Sequence, residues 1–266
     1  VLIIISVLLG FIILKYEILA LIAFIGVSIS VIGIFIYCII KSEKAYKSKL
    51  VAFFILLVIS TVYWALYMQM FLSITLFIDS IVNKAFFSIT IPTPAFASIE
   101  SFGVIVFGYP VAKLWLFLSK TKFNPSLPMK FCFGMILLCL SFAALSLGTH
   151  FIGPNGLVYA VWIVIAYLVM AIGELALSPI GLSMVNVLVP DEFNGMMMGI
   201  FLLTIGLGGK IAGLLAGIAT VPKELISDPK AILSTYSHAF NVYLLITVVC
   251  TVIALLFIPY IKKKMV

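Results

Sequence analysis

Arginine is absent from this chain of 266 residues, and charge of either sign is scarce: 9% of residues are charged. A soluble domain carries about 25% charged residues to face water. The polar surface that a water-soluble fold requires is missing here, which excludes a soluble enzyme and a nucleic-acid-binding module. The formal charge of +7 does not restore nucleic acid as a partner, because sixteen lysines supply all of the positive charge and most sit in short loops or at the tail. That distribution marks membrane topology, not a phosphate-binding patch. Cysteine is sparse too. Cys38, Cys132, Cys139 and Cys250 fall inside apolar runs without paired spacing, as free thiols packed like small apolar residues do. No GxSxG, HExxH, P-loop or Rossmann pattern occurs, so neither catalysis nor an ATP-driven pump has motif support. His150 and His238 lie near span ends without zinc spacing and are expected to make interfacial hydrogen bonds. No metal or other cofactor is implied.

What remains is hydrocarbon. Apolar residues make up 65% of the chain and the mean hydropathy is +1.35, the composition of an integral membrane protein. A helix needs about 20 apolar residues to cross the bilayer. Eight runs qualify or nearly so: Val1 to Leu14, Ile18 to Ile40, Leu50 to Ile78, Ser98 to Leu118, Phe131 to Leu147, Leu157 to Leu188, Gly195 to Ala219, and Ala239 to Ile261. Backbone groups in lipid must be bonded internally, so each run is expected to be helical. The first run is short, and the chain opens Val-Leu-Ile-Ile-Ile with neither Met nor a basic leader. It is expected to be a fragment or a processed chain whose upstream half is missing.

Lysine placement sets the orientation. Lys41, Lys44, Lys47 and Lys49, then Lys120, Lys122 and Lys130, then Lys262, Lys263 and Lys264 fall on one side if the spans alternate. Only Lys15, Lys84, Lys223 and Lys230 fall on the other. Lysine-rich short loops stay in the cytoplasm, which predicts a cytoplasmic C-terminus. The loop 189–194, with Asp191 and Glu192 but no Lys, departs from the pattern without overturning it, since acids weigh little in topology.

The first two runs are almost purely aliphatic and are expected to be peripheral, whereas the later six contain Glu, Gln, Lys, Pro and Gly, as helices around a polar pathway do. Glu174 stands deep in its run, where a charge must be paired or neutralised, with Ser178 on the same face and Pro179 next to it. It is either a substrate or proton site, or an acid bonded between helices. Tyr63 and Tyr67 share a helical face with Met70 or Phe71, and Gln69 and Ser73 form a neighbouring polar row. Such a wall suits a polar organic ligand and serves equally as helix packing. Glu100 is a solvated helix end or a buried proton carrier, and Asp79 is placed at the outer membrane edge. Lys210 lies well inside its span, snorkelling outward or paired with Asp79 or Glu174. Gly209, Gly213 and Gly217, with Gly195 and Gly199 before them, have the spacing that permits close helix contact.

The stretch from Gly173 to Met184, GELALSPIGLSM, resembles the tenth-helix signature of proton-coupled oligopeptide transporters of the major facilitator superfamily. Tyr63-Trp64-Ala65-Leu66-Tyr67 followed by Gln69, Leu76 to Asp79 leading to Ile91-Pro92, and Gly195 to Gly199 agree in order and spacing. The resemblance covers essentially the whole chain. It implies an all-α, polytopic membrane helical bundle: residues 1–41 as two extra helices, 42–49 as a basic cytoplasmic linker, and 50–266 as the C-terminal six-helix half. It further implies symport of di- or tripeptides with protons by alternating access in the bacterial plasma membrane, driven by the proton gradient and completed by the missing N-terminal half. By position, Glu174 resembles the acid that meets the peptide amino terminus, Tyr63, Tyr67 and Ser178 resemble cavity residues, and Asp79 resembles an outer-gate acid.

Four departures bear on the site. Met68 stands where many members have Glu. Glu100-Ser101 replaces an Asn-Pro pair, so Glu100 is expected to take over part of the role lost at Met68. Phe201 and Gly209 replace Trp and Asn, and the Glu-x-x-Glu-Arg motif is absent. The expected substrate-binding set is Tyr63, Tyr67, Met68, Gln69, Glu100, Glu174, Ser178 and Phe201. Proton coupling or gating is expected from Glu174, Glu100, Asp79 and Lys210. Another small polar substrate on the same architecture, or a sensor or scaffold that does not transport, remains open.

Overall fold

The computed structural model describes residues 10–11, 15–86 and 88–265. Except for Gly10 and Phe11, the first run, Val1 to Leu14, lies outside the described residues. The architecture is an all-α membrane bundle. Its long helices are α1 (Glu17–Lys41), α2 (Lys44–Tyr67), α4 (Thr93–Ser119), α5 (Leu127–Gly148), α6 (Val161–Leu188), α7 (Asn194–Ala216) and α8 (Pro229–Met265). The short α3 (Ser73–Ile81) continues the span that α2 begins. Seven segments of the described residues are long and apolar enough to cross a membrane.

Helix ends follow local chemistry more than hydropathy. Lys44, Lys47 and Lys49 lie on the first turns of α2, so only Ser42 and Glu43 join it to α1. Thr93-Pro94 starts α4 and Leu127-Pro128 starts α5, each placing a ring of fixed φ where an orphan N–H would otherwise stand. At 37 residues α8 is about 55 Å long, well over the hydrocarbon thickness, so its first turns project beyond the run Ala239 to Ile261. Pro179 does not interrupt α6, which continues through it to Leu188. The interruption falls instead between α2 and α3. Residues Met68–Phe71 tighten into a 3-10 turn, and Leu72 takes φ −112° and ψ −98°. No Pro or Gly marks the break. The Met70 carbonyl accepts from the Thr75 hydroxyl at 2.7 Å and from the Tyr167 hydroxyl of α6 at 3.1 Å. Non-helical backbone at membrane depth survives only where protein satisfies it in this way.

Helix α5 packs against α6 and α8, α2 against α7 and α8, and α4 against α6. The expected peripheral character of Ile18 to Ile40 agrees with α1, whose main neighbours are α2 and α7 and whose apolar side chains are largely exposed. Small residues set the closest approaches, because bulk between membrane helices would hold them apart. A Cβ on Gly134 of α5 would meet the Gly173 carbonyl of α6 at 2.8 Å. On Gly208 of α7 it would meet the Trp64 Cβ at 2.7 Å and the Ala65 nitrogen at 2.9 Å. Within this chain Gly195, Gly199, Gly209, Gly213 and Gly217 have nothing within 4 Å of a Cβ position, so the closest approaches here use other glycines. Four-residue spacing identifies a smooth face but not the face in contact. Gly208→Ala is accordingly expected to cost about 1–3 kcal/mol through overpacking, and Gly209→Ala far less. Thermal unfolding of the two purified variants in one detergent tests this; equal midpoints would contradict the contact.

Two short sheets stand at one end. β1 (Val82–Asn83) pairs in parallel with β4 (Val158–Tyr159), tying the end of α3 to the start of α6. β2 (Ala85–Phe86) and β3 (Ile89–Thr90) pair antiparallel. Beside them Lys84 Nζ lies 2.9 Å from Asp79 Oδ1, and the Thr93 hydroxyl donates to the same oxygen at 2.8 Å. The four cysteines are free.

Candidate functional site

The last two turns of α2 place Tyr63, Trp64 and Tyr67 on adjoining faces, and their rings pack together. Tyr63 and Tyr67 stack at 5.8 Å between centroids, with Trp64 edge-on to both. The Tyr67 hydroxyl donates to Glu174 Oε2 of α6 at 2.6 Å. Glu100 arrives from α4. It is 5% exposed, accepts from the Ser101 hydroxyl at 3.3 Å, and faces Tyr67 and Glu174. Its Oε1 atom is buried without a hydrogen-bond partner, as is the Tyr63 hydroxyl. The depth left open for Glu100 is thereby resolved: α4 begins at Thr93, five residues before the apolar run, and carries this carboxyl two turns inward.

The crossing of α4 and α6 explains the meeting of the two acids. A Cβ on Gly103, one turn beyond Glu100, would lie 2.8 Å from the Cβ of Ala171, itself one turn before Glu174. The helices therefore touch within a turn of both carboxyl groups. Among the described residues no cation joins this cluster, and the one ion pair is Lys84 with Asp79, at the end that carries the short sheets. Lys210 forms no ion pair with either expected partner, since Asp79 is engaged by Lys84 and Glu174 by Tyr67.

The other singled-out residues lie elsewhere in the bundle. Gln69 is fully buried at the α2 break, donating to the Ala65 carbonyl at 3.2 Å and the Ala212 carbonyl of α7 at 3.0 Å. Its Oε1 accepts from the Ser73 hydroxyl at 2.7 Å, and that hydroxyl lies 3.0 Å from the Tyr243 hydroxyl of α8. The polar row thus bonds three helices together. The sequence reading does not single out Tyr243 or Tyr167; the bonds they make run across to other helices, Tyr243 to Ser73 and Tyr167 to the Met70 carbonyl, which spacing along one helix does not reveal. Met68 is half-buried against the core, and the Phe201 ring occupies the space a Cβ on Gly181 would need, packing α7 on α6. Ser178 is half-buried one turn past Glu174. Of the expected aromatic face, Met70 is buried while Phe71 is exposed. His150 and His238 line a separate cavity of about 610 Å³ with Lys230 and Asn241, remote in lining from the carboxyl cluster. No group of three or more His, Cys, Asp or Glu among the described residues is arranged to hold a metal ion.

The bundle of membrane helices thus brings a buried and a half-buried carboxyl group together with aromatic hydroxyls, beside an interrupted helix. Residues 15–232 match the model of the POT family, PTR2, and the chain belongs to that family. It is 32% identical over 252 residues to dipeptide and tripeptide permease A of Chromobacterium violaceum, covering 94% of this chain and 50% of that protein. It is 31% identical to the permease A of Yersinia pestis, covering 88% of this chain and 46% of that protein. Among solved structures, tetrameric PepTSo2 superposes with a TM-score of 0.81 at 26% identity, over 98% of this chain and 52% of that one. The chain spans about half the length of the relatives it matches.

Proposed function

We propose that this chain is the C-terminal half of a proton-driven symporter for di- and tripeptides. In this reading residues 50–266 form the six-helix half and 1–41 supply two extra helices; the basic stretch 42–49 stands at the cytoplasmic face, with Ser42 and Glu43 as the connection and Lys44 onward opening α2. The complementary N-terminal half supplies the other wall of the cavity, because a site between two rocking bundles needs both. The lysine asymmetry supports a plasma-membrane protein with its C-terminus in the cytoplasm.

The observation that carries the reading is the carboxyl cluster of Glu100 and Glu174, with Glu174 held at 2.6 Å by the Tyr67 hydroxyl and no cation beside it among the described residues. A carboxylate kept in an apolar bundle without a counter-ion suits a cationic ligand, and a peptide's ammonium group supplies one. Glu174 anchors that ammonium, Tyr63, Tyr67 and Ser178 line its path, and Glu100 and Glu174 exchange protons. Met68, Gln69 and Phe201 act on the cavity from behind it, Gln69 by bonding the α2 break to α7 and Phe201 by packing α7 on α6. Asp79, with Lys84 and Thr93, makes an outer latch that opens and closes with the cycle, and Lys210 contributes to gating.

The test is uptake of labelled dialanine by proteoliposomes holding the full-length protein. Accumulation is expected with an inward proton gradient and not without one. Well-folded protein that accumulates no dialanine under either condition would sink the proposal.

A further inference from the structure

Basic side chains collect where α5 ends and α8 begins. His150 follows α5, and Lys230 and His238 stand on the first turns of α8; with Ser234, Ser237 and Asn241 they line the cavity of about 610 Å³. Among the described residues, the two imidazoles, the Lys230 ammonium and the two serine hydroxyls make no hydrogen bond or ion pair within the chain. Elsewhere on α8, Thr235, Thr247 and Thr251 each return a hydroxyl to the carbonyl four residues back. Asn241 adds a further donor: its Oδ1 accepts from the Ser146 hydroxyl at 2.6 Å, which leaves its N–H groups to the cavity. Asp228, the nearest acid in sequence, is engaged by the Lys230 backbone N–H at 2.9 Å, and no carboxylate lines the cavity. The wall therefore offers donors and positive charge, the pattern that receives a phosphate group.

The place of the cavity selects among phosphates. It lies at the end that carries the short sheets, beside the Ile152–Val158 bridge, and it borders the start of the apolar run from Ala239 to Ile261, where lipid headgroups begin. Past the cavity the same face turns to hydrocarbon. On α8 the row Ser234, His238, Asn241 continues at helical spacing to Leu245, Val248 and Val252, all exposed, and on α5 the exposed Leu147 and Leu140 precede His150. Neither helix contributes to the carboxyl cluster. Moreover α4 and α5 take opposite faces of α6: Gly103 meets Leu168 and Ala171, whereas Gly134 meets Gly173 and Leu177. In the symport reading, on which this inference rests, the complementary half faces the carboxyl cluster, so the α5–α8 face meets lipid. We propose that this cavity binds the headgroup of an anionic phospholipid, its phosphate among Lys230, His150 and His238 and its acyl chains along α5 and α8. A zwitterionic lipid fits less well, because its ammonium meets no carboxylate there.

The test is photolabelling of the full-length protein in nanodiscs of phosphatidylethanolamine that hold a minor share of phosphatidylglycerol with a diazirine in one acyl chain. Label is expected on Leu147 or Leu245, and more of it than from phosphatidylethanolamine carrying the same diazirine. One lysine near anionic lipid is worth about a fivefold change in binding. Lys230→Gln combined with His238→Gln is therefore expected to lower the label there at least about fivefold, and to leave labelling at the lysine-rich opposite end unchanged. Equal labelling by the two lipids, or a yield that the double substitution does not move, would mean ordinary surrounding lipid and overturn the site. Absence of label on α5 and α8, with inorganic phosphate raising the melting temperature of the wild type but not of the double variant, would assign the cavity to a soluble anion and overturn the lipid. Should the double variant melt early, the comparison of the two lipids on the wild type decides. None of these readouts uses dialanine: missing label in protein that accumulates dialanine rejects the lipid site and leaves symport standing, and the reverse result rejects symport alone.

Discussion

Glu174→Gln in the full-length protein is expected to abolish gradient-driven dialanine uptake. The carboxylate sits among apolar helices with one hydroxyl donor, Tyr67, and no cation among the described residues. The amide would preserve shape and could still accept the Tyr67 bond, so the bundle should fold. It would lose the charge that meets the ammonium. Removing one partner of a desolvated charge pair costs about 2–5 kcal/mol, which is at least about thirtyfold in affinity. Uptake kinetics and ligand-induced thermal shift, measured together, distinguish lost binding from lost folding. Unchanged uptake with a normal melting curve would show that the anchor lies elsewhere.

This expectation differs in kind from that for Glu100→Gln. The two carboxyl groups contact the same tyrosine region but occupy different positions around it. Glu174 is partly open and bonded, whereas Glu100 is nearly closed off, with one oxygen unpartnered. The more open acid is better placed to touch a ligand, and the enclosed one to hold a proton. Loss of binding should therefore follow the α6 acid, and loss of coupling the α4 acid.

Much of the bundle is legible in the sequence because the bilayer imposes one rule on every span, a length of hydrocarbon whose backbone bonds close internally. Glu174 also stands out unaided, as an acid deep in the run from Leu157 to Leu188. The rest depends on how each helix is rotated about its axis, which hydropathy does not reveal. Gly208 and Gly209 are neighbours, yet only the first meets α2. Gln69 belongs by spacing to a polar wall, yet its amide is engaged between Ala65 and Ala212 at a break that no Pro or Gly announces. Glu100 could not be assigned a depth from a run beginning at Ser98, because α4 starts at Thr93 under the control of Pro92 and Pro94. Spacing leaves Lys210 either snorkelling or paired with an acid; the structure shows no such pair, with Asp79 held by Lys84 of the following loop and Thr93 of α4, and Glu174 by Tyr67 of α2.

The same dependence on helix approach makes Gly134→Leu the substitution with the largest expected structural effect. A Cβ there would lie 2.8 Å from the Gly173 carbonyl and 3.0 Å from the Leu177 Cβ. Backbone cannot swing aside as a flexible side chain can, so α5 and α6 must separate. Overpacking a tight core costs about 1–3 kcal/mol, and more where relief requires a helix to move. The damage should also reach the site, because Gly173 immediately precedes Glu174 and its Cβ position lies 3.5 Å from the Tyr63 hydroxyl. Displacing α6 at that point draws Glu174 away from Tyr67. Gly134→Leu should therefore yield little folded protein, and any recovered fraction should show weakened dialanine protection in thermal unfolding. Gly213→Leu, placed where a Cβ meets nothing within 4 Å, is the matched control. Comparable yields and midpoints for the two variants would mean that α5 and α6 do not cross at this glycine pair.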